Sequence, residues 1–117
     1  MSYMLLIVED AQARRSRPVE LANHRMDRMN AFADGLRARG ILKAAESLAS
    51  DAHGARISAS AGKRLVLDGP FAEAKEIVGG FFLLEVATRE EAVAIGKECP
   101  AVEWATVEVR QLGPCGA

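Results

Sequence analysis

A chain of 117 residues with a formal charge of −1, half of it hydrophobic and 26% charged, has the length and make-up of one soluble globular domain, residues 1–117. That charge excludes non-specific nucleic-acid binding, which needs a basic surface, and the short cluster Arg14, Arg15 and Arg17 does not reverse it. No run approaches the roughly 20 apolar residues of a membrane span, and the apolar start lacks the basic flank of a signal peptide, so the chain is expected in the cytoplasm with no membrane partner.

Tyr3–Val8 reads as a strand that is apolar on both faces. Glu9 to Arg17 is polar and reads as a mobile loop. Pro18 then opens a helix that runs to about Arg39, with Ala22, Met26, Met29, Ala33 and Leu36 recurring on one buried face and Gly40 as the stop. Leu42–Leu48 leads into further strands. Ile57–Ser60 and Lys63–Leu67 flank the turn pair Ala61-Gly62 as a hairpin. Asp68-Gly69-Pro70 makes a tight turn, and Pro70 is placed to begin a short helical turn through Ala72 to Glu76. Phe81–Ala87 is another strand apolar on both faces. Thr88 and Glu91 form a capping box for a helix that buries Ala92, Ile95 and Cys99 and ends at Pro100. Trp104–Leu112 alternates as the last strand.

Two helices with about four main strands point to an α+β ferredoxin-like sandwich. Its helices cover only one face of the sheet, yet two strands are apolar on both. The uncovered face is therefore expected against a second copy, giving a homodimer with a barrel-like interior. Cys99 and Cys115 form no CxxC pair and read as free thiols. His24 and His53 have no ligand companion at helical spacing, so no metal site is expected, and nothing in the chain implies a cofactor.

Asp68-Gly69-Pro70-Phe71, followed by Glu73, Lys75, Glu76 and Gly79-Gly80-Phe81, resembles the signature of the YCII-related (YciI-like) family, DGPF-motif subgroup. Tyr3–Ile7, Gly40, Leu48, Ala92, Cys99-Pro100 and Val107–Arg110 extend the resemblance over most of the chain; Ala74 and Gln111 stand where the family commonly has Thr and Pro. The resemblance implies a dimeric α+β barrel. Some members use a His–Asp dyad, and one relative is a dehydrochlorinase of a chlorinated hydroxyquinone. Here Met29 stands in the place of the dyad histidine. His24 and Asp34 lie off the buried helical face, so the dyad is not carried over.

Chemistry is expected around the motif, in a cleft rimmed by Asp68, Phe71, Glu73, Lys75, Glu76 and Arg110. Asp68 has two readings, a turn cap and a general base against an apolar wall. Lys75 is the natural anchor for a carboxylate or phenolate, oriented by Glu73 or Glu76, unless the three are a solvated charge run. Glu108 and Arg110 face away from the aliphatic side of the last strand and either pair with each other or meet a ligand. Two functions stay open. One is a cofactor-free enzyme performing proton-transfer or elimination chemistry on a small polar or aromatic acid. The other is a regulatory module binding a small molecule or a partner protein, for which the family's link with alternative sigma factors speaks.

Overall fold

The computed structural model describes residues 1–116. The chain runs β1 (Ser2–Asp10), α1 (Ala11–Arg15), α2 (Val19–Ala38), β2 (Leu42–Ser47), β3 (Ala55–Ser60), β4 (Lys63–Asp68), β5 (Glu76–Glu85), α3 (Arg89–Glu98) and β6 (Thr106–Gln111). Short 3₁₀ turns at Asp51–His53 and Pro100–Glu103 fill two of the connections. The main sheet has the order β2-β5-β1-β6 with all neighbours antiparallel, the ferredoxin-like arrangement. It does not close into a barrel within one chain. The molecule is only 18 Å thick along its shortest axis, as one sheet with helices on one side requires.

Alternation decides what is buried. Tyr3, Leu5 and Ile7 of β1 and Phe82 and Leu84 of β5 point at the helices and are almost wholly buried. Ala33 and Leu36 of α2, Ala92 and Ile95 of α3, and Cys99 at the end of α3 meet them there. Their neighbours Met4, Leu6, Val8, Phe81 and Leu83 alternate to the other face and stay half-exposed. That face is the apolar second side inferred from the sequence. The Thr88 hydroxyl accepts from the Glu91 amide at 3.1 Å, so the expected cap forms and α3 begins there, while the Glu91 carboxylate returns to the Ala87 amide at 3.3 Å and not to that of Thr88.

Three local expectations are corrected. Glu9–Arg17 is not a loop. Glu9 and Asp10 complete β1, and Asp10 caps α1 by accepting from the Ala13 amide at 2.7 Å. Leu42–Ser47 is itself an edge strand. Pro70–Glu76 forms no helical turn: a bare turn covers Ala72 and Glu73, and Glu76 already belongs to β5. The reason lies next door, where the backbone is claimed by other partners. The Phe71 amide donates to Asp51 Oδ2 at 3.1 Å, and the Lys75 carbonyl accepts from the Ala11 amide at 2.9 Å.

The hairpin β3–β4 stands apart as a two-stranded arm with every residue exposed, Ile57 and Val66 included. It is anchored at its root, where the Gly69 amide donates to the Gly54 carbonyl at 2.8 Å and Arg56 lies 4.1 Å over the Phe71 ring.

Candidate functional site

Strand alternation sends Glu9 inward after Tyr3, Leu5 and Ile7, and its carboxylate is almost fully buried. A buried carboxylate requires partners. The segment that follows β1 supplies them: Arg14 of α1 donates to Oε2 at 2.7 Å, and Arg17 just beyond it donates to Oε1 at 2.5 Å. Arg14 also reaches across to the Leu48 carbonyl at the end of β2. One carboxylate thus fixes two guanidinium groups, one on each oxygen.

Gly79 makes this arrangement sterically possible. A Cβ there would lie 2.1 Å from Glu9 Oε2 and 2.9 Å from Arg14 Nη1. A Cβ on Gly80 would meet the Glu46 carbonyl oxygen of the neighbouring strand at 2.7 Å. The glycine pair therefore lets a carboxylate and a strand approach where any side chain would hold them off.

Beside Glu9, between α2 and the sheet, lies a cavity of about 350 Å³. Ile7, Met29, Ala33 and Phe82 give it an apolar floor and wall, continuing the core. Arg14, Arg17, Arg25 and Trp104 give it a charged and aromatic end. The apolar stripe expected on α2 explains the opening. Ala33 and Leu36 are buried, whereas Met26, nearer the helix start, is 40% exposed and lines the cavity instead of filling a core. Arg25 lies 4.8 Å over the Trp104 ring. Among the described residues it makes no salt bridge. Burial, and then the neighbouring Arg17, hold the Arg25 guanidinium below its usual pKa, with Glu9 opposing and Arg28 adding to the repulsion. Glu46 also borders the cavity, but it pairs with Phe81 across β2 and β5, which puts its side chain on the sheet's other face.

The residues singled out from the sequence fall in separate places. Asp68 is exposed at the end of β4, and Glu73 is exposed on the turn after it. Phe71 is half-buried at the root of the arm. The side chain that holds the Asp-Gly-Pro-Phe corner is Asp51, not Asp68: it takes the Phe71 amide and pairs with Arg15 at 2.7 Å. That guanidinium, with the Phe71 amide, holds the Asp51 carboxyl below the usual carboxylate range. Gly69 is required beside it, because a Cβ would sit 1.7 Å from the Asp51 carbonyl oxygen. Lys75 and Glu76 line a second, open depression with Val8, Asp10, Glu103 and Thr106, and Glu9 and Trp104 border both hollows. Glu108 and Arg110 pair with each other at 3.2 Å on the open face of the sheet, the structural alternative among the expected readings. His24 and His53 are exposed, Asp34 pairs with Arg37, and both cysteines are free thiols.

Sequence reasoning missed Glu9, Arg17, Arg25 and Asp51. Glu9 carried a signal, since period-two counting from Tyr3 puts it on the buried face. Asp51 and Arg25 carried none, because their roles depend on contacts far along the chain.

Residues 1–115 match the family described as the YCII-related domain. An uncharacterized protein of Rhizobium meliloti (strain 1021) is 42% identical over 55 residues, 45% of this chain; the chain spans less than half of that relative, 44% of its length. Among solved structures, 5-chloro-2-hydroxyhydroquinone dehydrochlorinase (TftG) from Burkholderia phenoliruptrix AC1100, in complex with 2,5-dihydroxybenzoquinone, superposes with a TM-score of 0.53 at 14% identity. The match covers 97% of this chain and 94% of that one. No helix among the described residues is long and apolar enough to cross a membrane.

Proposed function

The chain belongs to the YCII-related family, and we propose that it is a small-molecule-binding homodimer whose ligand occupies the cavity between α2 and the sheet. One observation carries this reading: a hollow of about 350 Å³ joins an apolar wall to a set of oriented guanidinium groups. Ligand sites are concave and mostly apolar, with a few fixed polar groups, and this one has both parts. The dimer is supported by the uncovered face, where Met4, Leu6, Val8, Phe81 and Leu83 form a continuous apolar patch between paired strands. The expected cytoplasmic location and the absence of a cofactor belong to the same reading.

A second reading makes the protein a cofactor-free enzyme that performs proton transfer or elimination on a small polar or aromatic acid. The observation favouring it is the shared wall. Glu9 and Trp104 border both the cavity and the depression holding Lys75 and Glu76, so ionisable motif residues stand just behind the ligand site. The dehydrochlorinase has the same fold and was captured with a quinone, which keeps this chemistry in view. In the enzyme reading Lys75 and Glu76 are the reactive candidates, with Asp68 and Glu73 lying out on the arm and the turn. The binding reading stands first because both oxygens of Glu9 already accept from arginines.

Thermal unfolding against single-ring acids, phenols, quinones and their neutral analogues tests the site, since a ligand binding only the folded state raises the midpoint. A shift that disappears when Ala33→Phe fills the cavity is expected. A shift that survives the filled cavity would move the ligand elsewhere. Turnover of the bound compound, lost in Lys75→Ala or Glu76→Gln, would establish the enzyme reading over the binding one.

A further inference from the structure

Within this cavity, we propose that Arg25 and Arg17 form a receptor for the carboxylate of a single-ring organic acid, with the ring lying against Met26, Met29 and Phe82. The inference rests on the cavity being the ligand site and adds what the site selects.

Charge is the first argument. Arg14, Arg17 and Arg25 all line the cavity, and of the two carboxylates among the described residues lining it, Glu9 is turned toward them and Glu46 toward the other face. Glu9 satisfies Arg14 and one nitrogen of Arg17, which leaves the Arg25 guanidinium without a counter-ion among the described residues. The second argument is an orphan donor. Arg17 Nε is buried and has no hydrogen-bond partner among the described residues. Buried donors are nearly always paired, so Arg17, which lines the cavity, keeps hydrogen-bonding capacity that its contact with Glu9 does not use.

Position is the third argument. The cation–π contact with Trp104 holds the Arg25 guanidinium, and the Glu9 pair holds Arg17, so the receptor is ordered before the ligand arrives. Size sets the class. About 350 Å³ is at the small end for ligand sites, which suits one substituted ring.

The test is an NMR titration of the whole protein with benzoate and with its neutral isostere benzamide, up to about 10 mM to reach weak affinities. Benzoate is expected to perturb Met26, Met29 and Trp104, and benzamide to bind at least tenfold more weakly. Arg25→Gln should weaken benzoate roughly 10- to 100-fold and leave benzamide unchanged, as loss of a charged hydrogen-bond donor predicts. Arg25→Lys should recover part of that loss, and the unliganded midpoint of each variant confirms that it folds. Equal binding of acid and amide at these residues would overturn the carboxylate receptor while leaving the cavity as the ligand site. Undiminished benzoate binding in Arg25→Gln would do the same. Failure of both compounds, and of the wider neutral and charged panel, to perturb these residues would overturn the cavity itself.

Discussion

Replacing Gly79 by alanine adds one methyl group at the crowded point of the molecule. Gly79 is not among the glycines with left-handed backbone, so alanine meets no φ penalty and the substitution tests space alone. The new Cβ would lie 2.1 Å from Glu9 Oε2 and 2.8 Å from its Cδ. The carboxylate must move, and it is the shared acceptor for two arginines. Overpacking costs about 1–3 kcal/mol. Breaking a buried ion pair costs about 3–5 kcal/mol, less where solvent screens the partners. The Arg14 and Arg17 side chains are 17% and 14% exposed, so the discount is small. A loss of about 3 kcal/mol is expected, read by urea unfolding as a lower midpoint at unchanged slope. The control is the same substitution in a Glu9→Ala background, where no carboxylate remains to be displaced. There Gly79→Ala should cost under about 1 kcal/mol, a coupling of at least about 2 kcal/mol in a double-mutant cycle. Equal costs in both backgrounds would refute the idea that Gly79 exists to admit Glu9.

Acid unfolding should involve Asp51. Its folded pKa lies below the ordinary 3.8, so its contribution is present above that value and is lost as pH falls through the folded pKa. Asp51→Asn should flatten the stability profile below about pH 4, and an unchanged slope would remove Asp51 from the account. Burial pushes the Cys99 thiol up, whereas Cys115 is exposed. A thiol reagent at neutral pH should therefore titrate one cysteine quickly and the second only on unfolding; two fast equivalents would contradict the buried position. Light scattering should give twice the 12.6 kDa chain mass, and Leu6→Asp, placed opposite Glu108, should halve it. A wild-type mass of one chain would remove the homodimer.

The α+β ferredoxin-like class was legible because it follows from patterning and length, although β2 was not read as a strand. The continuous apolar runs Tyr3–Ile7 and Phe81–Leu84, the stop at Gly40 and the cap at Thr88 each act within a few residues, and all are found where the sequence put them. Glu9–Arg17 departs from the loop that its polarity suggests, because a polar segment is not thereby a mobile one. Its charges are satisfied internally, by Glu9 with Arg14 and Arg17 and by Asp51 with Arg15, and that pairing is invisible until the chain is folded. Pro70–Glu76 departs from its expected helical turn for a related cause. Its local helical preference lost to hydrogen bonds with Asp51 and Ala11, partners 20 or more residues away in the chain.

The motif itself looks different once its glycines are measured. From sequence its ionisable residues drew the chemical argument, whereas the structure gives its small residues the demanding positions. Gly69 lets the turn pass against the Asp51 backbone, Gly79 admits the Glu9 carboxylate, and Gly80 lets β5 close on β2. These contacts set in place the groups that hold the arginines. Arg15 is held by Asp51, Arg14 and Arg17 are held by Glu9, and Arg14 ties the end of β2 through the Leu48 carbonyl. The Asp-Gly-Pro-Phe corner and the glycine pair thus act as a frame that sets the basic segment after β1 against the mouth of the cavity. On this view a substitution at Gly69 or Gly79 harms ligand binding through the arginines it displaces. Loss of Asp68 or Glu73, exposed beyond the frame, should leave both the fold and that binding intact.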